Sequence, residues 1–299
     1  MLVSAARRQA LATILSISRL HIVAIAALGT LTFGWLLTGR HPVLLSAVCA
    51  LDWFLVNLLN RVVDLPEDRA NAIAGTEFAA RHARTLLAVG LGCLGGSLLA
   101  VHLIVPAITP VRVAYHALGL AYNWPLWPGG RRLKQLYFWK NTASALGFVL
   151  TVFGYPLAAA WGQPLAPGIT WATVGCALGF FVLFELSYEI IYDLRDLPGD
   201  RAAGVRTYPV VHGMRGAVRI IDGLLVASSA VLLMGYGAGL VPWRLAIMMV
   251  APALQALVYK RALRRGITSA DCIRLTWLGA SLLATYHLWV LLRLPGADL

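Results

Sequence analysis

Apolar runs about as long as a bilayer crossing fill most of the chain, and short polar connections separate them. A hydrocarbon core about 30 Å thick takes on the order of 20 helical residues to cross. On that measure nine segments qualify, at 18–38, 42–62, 84–104, 108–124, 138–160, 168–192, 214–238, 242–260 and 270–292. The fourth is the shortest and carries Arg112, Tyr115 and His116. The pattern predicts an all-α, polytopic membrane protein with about nine transmembrane helices, forming one domain over residues 1–299.

The polar breaks carry a repeat. Asp64-Leu65-Pro66-Glu67-Asp68-Arg69-Ala70 returns as Asp196-Leu197-Pro198-Gly199-Asp200-Arg201-Ala202, identical at six of seven positions, and each copy follows a long apolar segment. The offset of 132 residues lays the second segment on the sixth, the third on the seventh and the fourth on the eighth. The chain therefore reads as two parallel four-helix repeats, about 18–124 and 138–260, with a ninth helix at about 270–292. Polar residues at helical spacing lead into each copy: Asn57, Asn60 and Asp64 before the first, Glu185, Glu189 and Asp193 before the second. A polar stripe on an apolar helix faces protein or water, not lipid. The two stripes are expected to face one another. Pro66 and Pro198 disfavour helical backbone at Leu65 and Leu197, so Asp68 and Asp200 are expected just past helix ends.

Composition agrees with the membrane reading. The chain is 59% hydrophobic and 13% charged, with a mean hydropathy of +0.74. A net charge of +12 would suit nucleic acid if it were gathered in one run, but the basic residues lie in short loops between apolar segments, which suits membrane topology and no nucleic acid. With the amino terminus in the cytoplasm, most of the 25 basic residues fall on that side, against Arg40, Arg112, Arg244 and Arg293 on the other. Both heptapeptides then face the cytoplasm. Arginine outnumbers lysine 22 to 3, as in GC-rich prokaryotic genes, so the expected location is a prokaryotic inner membrane. Arg7 and Arg8 before an apolar stretch resemble a signal peptide only superficially, because no small-residue cleavage site follows. The four cysteines lack metal-ligand spacing and read as packing residues, and the seven histidines show no cluster.

Asn60, Asp64 and Asp68 at the first site, with Asp193, Asp196 and Asp200 at the second, are hard oxygen donors of the kind magnesium prefers and shares with substrate phosphates. A single aspartate loop would be read as helix capping and solvation. Two near-identical copies preceded by Asn57, Glu185 and Glu189 inside apolar segments favour a metal site. Arg131, Arg132, Lys134 and Lys140 crowd the connection after the fourth segment, and Arg201 and Arg206 follow the second motif. Each is explained singly by membrane topology; together they form a clamp for a diphosphate.

Asn60 to Asp68 resembles the NxxxDxxxD motif of the UbiA superfamily of intramembrane prenyltransferases, and Asp193 to Arg201, continuing through Gly204, Arg206, Thr207 and Pro209 to Gly213, is similar to that family's second motif. Tyr122, Arg132-Leu133-Lys134 and Lys140-Asn141 resemble its segment after the fourth helix. The resemblance implies magnesium-dependent transfer of a prenyl group from a prenyl diphosphate to an aromatic or other lipophilic acceptor, within membrane lipid. It also implies metal and diphosphate binding by Asn60, Asp64, Asp68, Asp193, Asp196 and Asp200, with diphosphate contacts from Lys134, Lys140 and Arg201. Tyr122 and Tyr188 are candidates to shield the allylic cation, or ordinary interfacial or core tyrosines. One departure is the loop Arg69 to Phe78, which lacks the basic, proline-rich character of many relatives and leaves the acceptor open.

Two other readings share these features. A terpene cyclase would turn the cation on the prenyl chain itself. A secondary transporter would also have repeats and intramembrane carboxylates, but its charged site usually sits near mid-bilayer on interrupted helices. The shared-site reading predicts that cysteines placed at positions 68 and 200 are labelled from the same side of oriented vesicles. Labelling from opposite sides would exclude one site built from both motifs.

Overall fold

The computed structural model describes residues 18–70, 73–202 and 204–294. The segment with Arg7 and Arg8, and Asn71 and Ala72 of the loop after the first motif, lie outside the described residues. The helices are α1 (Leu20–Thr38), α2 (Val43–Val63), the short α3 (Leu65–Ala70) and α4 (Thr76–Arg81), α5 (Ala83–Ile104) and α6 (Thr109–Asn123). They continue as α7 (Trp139–Ala159), α8 (Trp171–Ala202), α9 (Tyr208–Gly237), α10 (Trp243–Leu263) and α11 (Ser269–Leu291). Every one of the nine expected segments is helical. Seven of them, α1, α2, α5, α7, α8, α9 and α10, are long and apolar enough to cross a membrane.

Each long helix packs against the next in chain order, and α11 returns onto α1, so the helices close into a ring. Spanning helices satisfy their own backbone hydrogen bonds, which leaves side-chain packing to decide their neighbours. Local chemistry sets the joints. Gly39, at φ 71°, ends α1 in the left-handed conformation and donates its N–H to the Trp35 carbonyl. Gly213, at φ 69°, kinks α9, so the membrane portion of that helix starts at residue 214. A π-helical stretch over Val149–Gly154 interrupts α7.

At the first motif α2 ends at Val63 with Asp64 as its C-cap, so Asp68 lies past that helix end as expected, although Leu65 is helical in the short α3. At the second motif the proline expectation fails. Pro198 lies inside α8, which runs unbroken through Asp200 to Ala202. Pro66 occupies the second position of α3, where its missing N–H is unneeded. The bias of the residue before proline is weak enough for a well-packed helix to override. The chain turns alike after both motifs: Ile73 donates its N–H to the Asp68 carbonyl at 2.9 Å and Val205 to that of Asp200 at 2.8 Å.

The short fourth segment is accounted for by a residue the sequence reading passed over. Asp52, fully buried on α2, accepts hydrogen bonds from Arg112 Nε at 2.8 Å, Arg112 Nη2, and Tyr155 Oη at 2.7 Å, with His116 Nε2 at 3.0 Å. Arg112 also donates to the Ser97 carbonyl at 2.8 Å. With 15 residues, α6 reaches about 22 Å, yet this knot ties it to α2, α5 and α7. At the end of the ring away from the aspartates, the His41 and His287 rings lie 5.2 Å apart, a pairing that sequence spacing did not reveal. The cysteines are free.

Replacing Asp52 by alanine leaves Arg112 buried without its counter-ion, and should destabilise the protein by about 3 kcal/mol or more. Thermal unfolding in detergent checks this. A melting temperature equal to that of the unaltered protein would show that the knot is not structural.

Candidate functional site

Residues 124–138 between α6 and α7, together with the first turn of α7, reach both aspartate motifs. A short 3₁₀ turn, Leu133–Gln135, buries Lys134 against the first motif. Lys134 Nζ donates to Asp64 Oδ1 and Glu67 Oε2, both at 2.5 Å. Arg132 donates to Asp64 Oδ1 at 3.0 Å and also to Glu67. Burial pushes the Asp64 carboxyl above the usual carboxylate range, with Lys134 pulling it down and Glu67 pushing it further up. Glu67 is also pushed up by burial, but Lys134 and Arg132 hold it below its ordinary value.

Lys140, in the first turn of α7, serves the second motif. It pairs with Asp193 Oδ1 at 2.8 Å and Asp200 Oδ2 at 3.0 Å. Asp193 and Asp200 are seven residues apart and so share a face of α8. Asn141 Nδ2 holds the other Asp193 oxygen at 2.8 Å. Below them on the same face, Glu189 accepts from Ser144 Oγ at 2.7 Å. Asp68 accepts from Arg61 at 2.7 Å and Asp196 from its neighbour Arg195 at 2.7 Å. Tyr137 Oη lies 2.6 Å from His212 Nε2, tying the same connection to the start of α9. The connections after α2, α6 and α8 therefore meet at one end of the ring.

The candidates sort unequally. The Tyr122 phenol lies within electrostatic reach of Lys140, Glu189, Asp193 and Asp64, and hence of both motifs. Tyr188 is turned about 140° around α8 from Asp193 and packs with Tyr192 and Thr276, so of its two readings the structure supports the core one. Arg201 is exposed at the end of α8. Arg19 was missed: from just before α1 it donates to Asn57 Oδ1 at 3.2 Å and feels the charges of Asp64 and Asp68. Its place beside the motif follows from the pairing of α1 with α2, and which faces of those helices meet is not reported by local sequence.

Among the described residues, no three His, Cys, Asp or Glu side chains converge on a point where they could hold a metal. The expected carboxylates are instead paired with Lys134, Arg132, Arg61, Lys140 and Arg195. The donor set nevertheless fits a hard divalent cation, being all oxygen. Asn60 Oδ1 is buried and has no hydrogen-bond partner among the described residues, as a ligand awaiting a cation would be.

Inward of the second motif lies an apolar chamber of about 260 Å³, lined by α1, α7, α8, α10 and α11. Phe33, Phe148, Phe180, Phe181 and Phe184 form much of its wall, and Glu185 is its one ionisable carboxyl. Glu185, Glu189 and Asp193 stand at successive turns of α8, so one helix face leads from the chamber to the aspartates.

An all-helical ring of membrane helices that gathers two aspartate motifs beneath one cationic connection defines an integral membrane protein of a recognisable class. The chain belongs to the UbiA prenyltransferase family, whose family model matches residues 20–291. It is 39% identical over 98 residues to digeranylgeranylglyceryl phosphate synthase of Halobacterium salinarum, a stretch covering 33% of this chain and 32% of that protein. It is 26% identical over 268 residues to 4-hydroxybenzoate octaprenyltransferase of Aromatoleum aromaticum, covering 88% of this chain and 80% of that one. The fold matches a UbiA homolog from Archaeoglobus fulgidus bound to GPP and Mg2+, with a TM-score of 0.70 at 15% identity over 92% of this chain and 98% of that one.

Replacing Lys134 by glutamine leaves Arg132 alone to serve Asp64 and Glu67, and should cost about 2 kcal/mol of stability. Thermal unfolding of the metal-free protein measures it. An unchanged midpoint would show that Arg132 suffices.

Proposed function

We propose that this chain transfers a prenyl group from a prenyl diphosphate to a lipophilic acceptor, with the active site at the cytoplasmic end of the ring. The observation that carries the reading is the continuity between the charged end and the apolar chamber. A prenyl diphosphate has the same polarity: an anionic head that suits Lys134, Lys140 and Arg132, and a hydrocarbon tail that suits the phenylalanine wall. The curated relatives named above are prenyl-transferring proteins, which supports the same class.

Reaction begins when the allylic carbon–oxygen bond breaks and its electron pair goes to the diphosphate. The acceptor then supplies the electron pair for the new bond and gives up a proton. Asn60, Asp64, Asp68, Asp193, Asp196 and Asp200 would hold magnesium, which when bound would supply positive charge against the diphosphate. Lys134, Arg132 and Lys140 would donate to phosphate oxygens, a grip that strengthens as the leaving charge grows. Tyr122, near both motifs, presents an aromatic group to the allylic cation. We read the motifs as equivalent parts of the two four-helix repeats, a reading supported by the matching turns that follow them.

Asp64→Asn and Asp196→Asn should each lower product formation on the order of 100-fold or more. The double mutant should lose little further, because a disassembled site has little left to lose. The measurement is product formation per folded molecule across a magnesium titration. Near-normal turnover of either single mutant at saturating magnesium would overturn the shared-site mechanism; a pure capping role would instead give additive stability losses with turnover preserved.

A further inference from the structure

Glu185 is not needed to hold a metal or a diphosphate, yet it is the most conspicuous group in the chamber. Its side chain is 5% exposed, it lines the cavity, and its Oε1 has no hydrogen-bond partner among the described residues. Of the polar groups nearby, Tyr286 Oη donates to the Arg244 carbonyl and Glu189, one turn along, accepts from Ser144; Thr285 also lines the chamber. A buried carboxyl oxygen left without a donor costs free energy that a well-placed donor would return. Hydrocarbon cannot supply that donor.

We propose that Glu185 is the hydroxyl-recognising residue of the chamber: its Oε1 accepts a hydrogen bond from the hydroxyl of an uncharged, lipophilic alcohol or phenol whose hydrocarbon part lies against the phenylalanine wall. This rests on the prenyl-transfer reading above, with the acceptor sharing the chamber that takes the prenyl tail, and it names the chemical class of that acceptor. Two features set the class. The wall of Phe148, Phe180, Phe181 and Phe184 demands an apolar body, and an unpartnered acceptor oxygen demands a neutral donor. Selectivity of this kind is strong, because a ligand lacking the donor leaves the buried oxygen unpaired.

The test is competition against labelled farnesol on the full chain in detergent, without metal, using farnesol and farnesyl methyl ether, which keeps the size but lacks the donor. In the unaltered protein the ether should compete at least about tenfold worse. Glu185→Gln, whose amide oxygen still accepts, should keep that preference, and Glu185→Leu should abolish it. Glu185→Leu should also unfold at a higher temperature, since it removes an unpartnered buried carboxyl; a supporting structural role would lower it. No alcohol preference in the unaltered protein, the same preference in Glu185→Leu, or a lowered unfolding temperature would each overturn the proposal. Failure of the unaltered protein to bind prenyl diphosphate would count against the transferase reading instead, and the metal-free competition would still decide the role of Glu185.

Discussion

Carboxylates at the edge of a membrane protein must be neutralised, and here one connection supplies much of the countercharge. Lys134 and Lys140 are six residues apart, yet Lys134 serves Asp64 and Glu67 while Lys140 serves Asp193 and Asp200. The two motifs come from α2 with α3 and from α8, and neither helix needs the other's apolar surface to be stable in lipid. What brings their polar ends to one site is this cationic bridge, in surroundings where an unpaired charge costs several kcal/mol, of order 3–5.

The same helix that presents Asp193 and Asp200 to Lys140 presents Glu189 and Glu185 progressively deeper. Polarity therefore declines along one face of α8, from ion pairs at the ring's end, through a carboxyl held by Ser144, to a lone oxygen in a phenylalanine-lined chamber. A molecule with a charged head and an apolar body experiences that gradient as an orientation. The fold thus separates a charged end from a hydrocarbon-lined interior along one helix face.

Stability in the first half depends on a different cluster. Asp52, Arg112, His116, Tyr155 and Ser97 come from four helices and bury one another's polar groups. In sequence, Arg112 and His116 look like blemishes in a short segment, because their partners lie 60 and 64 residues away on α2. Only packing of α6 on α2 turns a costly charge into a satisfied one.

The amino-acid sequence alone determined the helical class, because apolar runs of bilayer length have few other ways to satisfy their backbone. It also determined the kind of chemistry, since a heptapeptide rich in aspartate written twice carries hard oxygen donors wherever it folds. Asp64, Asp68, Asp196 and Asp200 were legible as candidates for that reason, Asn60 and Asp193 from the polar stripe leading into each copy, and Lys134 and Lys140 from the basic cluster after the fourth segment. Tertiary structure decided what depends on distance between segments: that Lys134 and Lys140 divide between the motifs, that Arg19 joins the first motif, that Tyr188 is core, and that Glu185 looks into a chamber built from five helices. It also overruled the local proline rule at Leu197, where packing of α8 along α9 outweighs one missing backbone hydrogen bond. Periodicity and motif spacing report on neighbours within one helix, whereas a site shared between helices is fixed by which faces meet.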